Sequence, residues 1–161
     1  MEDTVIIYYS LDGNTDYIAR RIAEKTGAKL VRLETKRAYP RKGFKKFFIG
    51  GRDALFGAEP ELKVPIPDLA PNRNIVIGTP VWASRPAPAI NTFLRRAKLD
   101  GKRIALFACS GGGQAKTCLD KMQALLAGNE ILCRASFINP AFKRGKTIDD
   151  AIDEIISALS D

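Results

Sequence analysis

Five short apolar runs rich in β-branched residues punctuate the chain: Val5 to Tyr9, Leu30 to Leu33, Asn74 to Gly78, Arg103 to Cys109 and Glu130 to Ile138. Helical patterns fall between and after them, near Asp16 to Thr26, Ala87 to Ala97, Gln114 to Ala127 and Ile148 to Leu159. A chain that alternates in this way buries its apolar runs by laying helices over both faces of a mostly parallel sheet. The 161 residues suit a single α/β domain with its own core. The last helix is the clearest: Ile148, Ile152, Ile155, Ile156 and Leu159 form a 3.6-period stripe, and Thr147 with Asp150 has the spacing of a capping box. Between Tyr39 and Val64, Phe44, Phe47 and Phe48 suggest a helix, while Gly43, Gly50, Gly51 and Gly57 interrupt it. A short helix and a long loop are expected there.

Several chemistries are excluded at once. The chain has no histidine, which removes histidine acid–base catalysis and most zinc or haem sites. Cys109, Cys118 and Cys133 are odd in number, form no CxxC, and are expected to be reduced and buried, a regulatory disulfide being the alternative. No apolar stretch approaches the ~20 residues of a membrane span, and no basic stretch precedes an apolar signal core, so a cytoplasmic protein with no membrane partner is expected. Such a chain borrows its chemistry from a cofactor or performs none.

In an open parallel sheet, ligands bind beyond the carboxyl ends of the strands, where the strand order reverses. Three connections therefore stand out. The first is Ser10-Leu11-Asp12-Gly13-Asn14-Thr15, just ahead of a helix. The opening amides of a helix lack internal partners and sit at its positive end, Gly13 permits a tight turn, and Ser10, Asn14 and Thr15 add polar side chains. That combination suits a phosphate. Neither GxxxxGK[ST] nor GxGxxG is present, and the first lysine is Lys25. The second connection, Gly78 to Pro86, places the sole tryptophan, Trp82, where it can stack on a planar ring. The third, Cys109-Ser110-Gly111-Gly112-Gly113-Gln114, offers backbone groups to a ring edge. Each also has a plain structural role, as a capped turn, a gap-filling aromatic or a flexible turn. Their joint placement after the first, third and fourth strands describes a site for flavin mononucleotide, FMN.

The chain resembles the flavodoxins, in particular the short-chain flavodoxin-like group, over nearly its whole length. Tyr8-Tyr9-Ser10-Leu11-Asp12-Gly13-Asn14-Thr15 is similar to the family's phosphate loop, which runs Ser or Thr, any residue, Thr, Gly, Asn, Thr. Lys42-Gly43-Phe44-Lys45-Lys46-Phe47-Phe48, Gly78-Thr79-Pro80-Val81-Trp82-Ala83 and Ser110-Gly111-Gly112-Gly113 are similar too. The resemblance implies one doubly wound, flavodoxin-like domain over residues 1–161, with a five-stranded parallel sheet in the order 2-1-3-4-5. It also implies FMN as cofactor and electron transfer between redox partners. Flavodoxin is itself one of the proteins behind the switch-point rule, so the site's location is not independent support. Carried over residue by residue, Ser10, Asp12, Gly13, Asn14 and Thr15 would hold the phosphate. Thr79, Pro80, Val81, Trp82, Ala83 and Ser84 would cover one side of the isoalloxazine with Trp82 stacked, and Ser110, Gly111, Gly112 and Gly113 would border its pyrimidine edge.

Two departures matter. Asp12 stands where the family usually has Thr, and a carboxylate facing a dianion is repelled by about 1 kcal/mol at surface dielectric, so its side chain is expected to point outward. Between Gly78 and Gly101 there is no glycine. Ala83 and Ser84 would cost about 1 kcal/mol or more at positive φ, which predicts a less stabilised half-reduced flavin than flavodoxins usually hold.

Charge is unusual for that family. The net charge is +8 with a pI near 9.6, and Lys36, Arg37, Arg41, Lys42, Lys45, Lys46 and Arg52 follow one another with no acid between. Interleaved with Tyr39, Phe44, Phe47 and Phe48, this 36–52 segment is expected either to be a solvated face with its aromatics in the core or to steer an acidic redox partner or NADPH phosphates. Nucleic acid is not expected, since no binding motif accompanies the charge. An NAD(P)H-dependent FMN or quinone reductase, and a flavin-free binding domain on the same fold, are the competing functions. A phosphoryl-accepting receiver is disfavoured because no acidic pair follows the first strand.

Overall fold

The computed structural model describes residues 1–41 and 44–160, and within it the side chains of residues 44–47 are outside the description. Its strands are β1 (Thr4–Tyr8), β2 (Lys29–Arg32), β3 (Asn74–Trp82), β4 (Arg85–Pro86), β5 (Arg103–Ser110) and β6 (Glu130–Ile138). Its helices are α1 (Asn14–Thr26), α2 (Phe44–Leu55), α3 (Pro88–Arg96), α4 (Ala115–Ala124) and α5 (Lys146–Ser160). The main sheet runs β2-β1-β3-β5-β6 with every pair parallel, the expected five-strand order. Side chains alternate across it: Ile7, Ile77 and Leu106 pack against Ile90 and Phe93 of α3 and Met122 of α4. Ile6, Tyr8, Val76 and Phe107 pack on the other face against Ile18 and Ile22 of α1 and Ile152 and Ile155 of α5.

Gly78, in the middle of β3, gives up its side-chain space to a neighbour. A Cβ there would lie 2.1 Å from the ring of Phe107 on the adjacent β5.

Three expectations need correction. The connection expected after Gly78 is instead a strand extension and a hairpin: β3 runs on to Trp82, turns through Ala83 and Ser84, and pairs with β4. Both turn residues are left-handed, with φ of 49° and 61°, as a two-residue turn matching the twist of its strands requires. Glycine is the residue this geometry favours. Ala83→Gly is therefore expected to stabilise the protein by about 0.5–1 kcal/mol, the strain relieved less the added freedom of the unfolded chain. A urea titration should show the midpoint rising at constant slope.

The second correction concerns α5, which begins at Lys146, so that Thr147 lies inside its first turn. Its opening amides, those of Ile148 and Asp149, reach the Gly145 carbonyl, and Asp150 pairs with Lys146 at 3.3 Å instead of closing a capping box. The third concerns the aromatics of the basic segment. Tyr39 is buried but Phe48 is 64% exposed. Lys42 and Gly43, and the side chains of Phe44, Lys45, Lys46 and Phe47, lie outside the described residues.

The three cysteines are free, Cys109 and Cys118 buried and Cys133 half-buried. No helix among the described residues is long and apolar enough to cross a membrane.

Candidate functional site

At the carboxyl end of β1, Gly13 adopts φ 98° ahead of α1, and its N–H donates to Ser10 Oγ at 3.2 Å. The first bond of the helix is Tyr17 N–H to Gly13 O at 2.9 Å. The amides of Asn14, Thr15 and Asp16 therefore have no acceptor inside the helix. Asp12 is exposed, yet its carboxylate does not point away: Oδ1 lies 3.5 Å from both the backbone N and Nδ2 of Asn14. That corrects the expectation that it would turn outward. Asn14 Oδ1 in turn accepts the Ala141 N–H at 3.1 Å, fastening the β6–α5 connection to this helix end.

Thr15 is fully buried, and its hydroxyl has no hydrogen-bond partner among the described residues. Beside it is the Cys109 thiol, whose pKa burial pushes up to about 12 although the nearby Thr15 hydroxyl lowers it. Asp16, in the first turn, is compensated. Tyr8 Oη donates to it at 2.6 Å and Arg20 Nε at 2.7 Å, with Arg32 at 3.8 Å. Burial raises its pKa, but the Arg20 and Tyr8 hydrogen bonds and the two guanidinium charges outweigh that and hold it below the usual carboxylate value. Arg32 also donates to the Ser10 carbonyl at 2.9 Å, clamping the loop from β2. The helix end thus keeps its positive character.

The other two loops stand beside this one. Tyr9 N–H donates to Gly78 O at 3.2 Å, joining the ends of β1 and β3. Trp82 meets Tyr9 edge-on at 5.7 Å and Tyr39 at 5.2 Å between centroids. Gly50 of α2 comes so close that a Cβ there would lie 3.0 Å from two indole carbons. The indole is thus the joint between β1, β3, the 39 region and α2, a packing role that accompanies any stacking role. The Thr79 hydroxyl is committed within the hairpin, donating to Pro80 O and accepting from Ala87 N, both at 2.9 Å. Pro80 is buried, Val81 half-buried and Ala83 exposed.

After β5, Gly111, Gly112 and Gly113 are exposed, and Ser110 Oγ accepts the Gly113 N–H at 3.2 Å. Ser84 donates its hydroxyl proton to Gln114 Oε1, tying the hairpin to the glycine loop. Gln114 is itself left-handed, at φ 62°. Asn139 Nδ2 donates to Gly111 O at 3.2 Å and Asn139 N–H to Ser110 O at 2.9 Å. All three sequence-selected loops therefore gather at one end of the sheet. Arg32, Asn139 and Ala141 join them unforeseen, although Asn139-Pro140 is a turn signal readable in the sequence.

No curated protein matches the chain significantly. Solved structures do. A flavoprotein in complex with FMN from Lactobacillus acidophilus NCFM is 24% identical, with a TM-score of 0.74 over 94% of this chain and 99% of that one. A protein from Bacteroides uniformis ATCC 8492 described as a candidate flavoprotein is 21% identical, with a TM-score of 0.78 over 94% of this chain and 98% of the other. The two-electron reduced flavodoxin of Megasphaera elsdenii is 20% identical, with a TM-score of 0.60 over 98% of each chain. These likenesses establish a shared fold. The flavodoxin family model matches residues 3–153, which takes in every strand, every loop of the site and the first half of α5. The chain belongs to the flavodoxin family.

Proposed function

We propose that this protein binds FMN and transfers electrons between redox partners. The observation that carries the reading is the Thr15 hydroxyl, buried with no hydrogen-bond partner among the described residues, at a helix N-terminus whose first amides have no acceptor within the helix. A buried hydroxyl left unpaired costs about 1–3 kcal/mol, and a phosphate oxygen would satisfy it. Flavodoxin-family membership and the FMN complex of the Lactobacillus acidophilus relative point the same way. Ser10, Gly13, Asn14 and Thr15 would hold the phosphate. The bound flavin would supply all of the redox chemistry. The chain's own part is to present amides at α1, to set the Trp82 hairpin against the Ser110 to Gly113 loop, and to shield Asp16 with Tyr8, Arg20 and Arg32.

Asp12 is the residue that opposes binding. Its carboxylate reaches toward the Asn14 amide and occupies the end of the helix where an anion would sit. Asp12→Asn keeps a capping side chain while removing the charge. It is expected to tighten FMN binding about tenfold, or ~1.4 kcal/mol, with the advantage shrinking as salt is raised.

The deciding experiment adds FMN to the purified, flavin-free protein and follows flavin absorption and fluorescence. One-to-one uptake, and electron exchange with a reduced partner protein but no steady oxidation of NADPH alone, is the expected result. A protein that takes up no FMN is a binding domain on this fold, and one that oxidises NADPH unaided is a reductase.

A further inference from the structure

The described part of the 36–52 segment is less basic than its sequence. Lys36 pairs with Glu61 and Arg52 with Asp53, and the neighbouring Lys63 with Glu34. Uncompensated charge collects elsewhere. Between the C-terminus of α2, β4, α3 and the C-terminus of α4 lies a pocket of about 180 Å³ onto which Arg85, Arg95 and Lys121 converge. No acidic residue among those described lines it. Arg85 and Lys121 form no ion pair among the described residues, while Arg95 shares Glu59 with Arg96 at 3.5 Å.

The pocket is a built feature. Asn91, 7% exposed, forms part of its wall, donating through Nδ2 to the carbonyls of Gly57 and Ala58 and accepting from Arg95 Nε at 3.3 Å. Beside it, Leu55 and Phe56 are 51% and 80% exposed at the end of α2. Like charges gathered around a cavity repel one another unless an anion joins them, and an exposed aromatic beside such a cavity gains by being covered. The volume is below the roughly 300–1,000 Å³ usual for a small-molecule site and suits a single inserted side chain.

We propose that this pocket receives a carboxylate side chain from an acidic partner protein, with Phe56 and Leu55 packing against an apolar residue next to that carboxylate. Arg85 follows the turn residue Ser84, which is tied to Gln114, so the surface adjoins the hairpin proposed to border the flavin. That the partner is a redox protein rests on the electron-transfer reading; the acidic docking itself does not.

The test uses the flavin-free protein labelled with ¹⁵N, titrated at low salt with hexaglutamate and with a glutamate peptide carrying one leucine. Amide shifts are expected at 54–58, Arg85, Asn91 and 121–125. Arg85→Ala and Lys121→Ala should each weaken binding at least fivefold, while Lys36→Ala leaves it unchanged. The leucine peptide should bind more tightly than hexaglutamate, an advantage lost in Phe56→Ala. Spectra of the variants that keep their remaining peaks show that the fold persists. Shifts centred on 36–41 or 143–146, shifts spread over the whole surface, an equal loss in Lys36→Ala, or no binding overturn the proposal. Since no flavin is present, none of these outcomes depends on whether the chain binds FMN.

Discussion

Gly78→Ala is expected to cost about 3 kcal/mol of folding stability, the upper end of what overpacking a core usually costs. The added methyl would stand 2.1, 2.4 and 2.7 Å from three carbons of the Phe107 ring. Relief by movement is blocked on each side. Gly78 pairs with Tyr8 of β1 and Phe107 of β5, and the Phe107 ring leans edge-on against Phe137 at 6.1 Å. In urea the midpoint should fall sharply with little change in slope. Phe107→Leu supplies the control: it opens space and costs stability by itself, but in that background the alanine penalty should shrink to about 1 kcal/mol or less. A loss below about 1 kcal/mol in the original background would show that the ring finds another seat.

Thr15→Val should move two measurements in opposite directions. The flavin-free protein gains about 1–2 kcal/mol, because a buried hydroxyl without a partner is replaced by a methyl of similar shape. FMN affinity falls about tenfold to a hundredfold, because a hydrogen bond to a charged group contributes roughly 1.5–3 kcal/mol. Urea unfolding reads the first and a flavin fluorescence titration the second. A side chain that merely fills the core would lose or gain in both together. Unchanged FMN affinity would take Thr15 out of the phosphate site.

The layered fold was legible because central parallel strands, buried on both faces, read as nearly continuous apolar runs: Val5 to Tyr8, Ile75 to Gly78 and Ile104 to Cys109. The three loops of the candidate site stood out for a related reason: each follows directly on such a run, and although each alone also suits a plain turn or packing role, the three fall together beyond the same strand ends. What escaped depends on contacts between distant parts of the chain. Ala83-Ser84 carries none of the Asn-Gly or Gly-Gly signals that mark a tight hairpin, so β4 was hidden. Trp82 is surrounded by Tyr9, Tyr39 and Gly50, three residues that only the fold assembles. The direction taken by Asp12 follows from the unfilled amide of Asn14, and the acids that pair with Lys36 and Lys63 lie 25 and 29 residues away.

The bond from Ala141 to Asn14 spans 127 positions. During synthesis, β1 emerges first and waits, apolar on both sides, for β3 to arrive some 70 residues later in register with it. The loop in front of α1 waits longer still, since the backbone that steadies its asparagine follows β6 and is made only after every strand of the sheet. Ligand capture therefore waits for residue 141, and truncation before it should leave a chain that has its opening loop but cannot shape it.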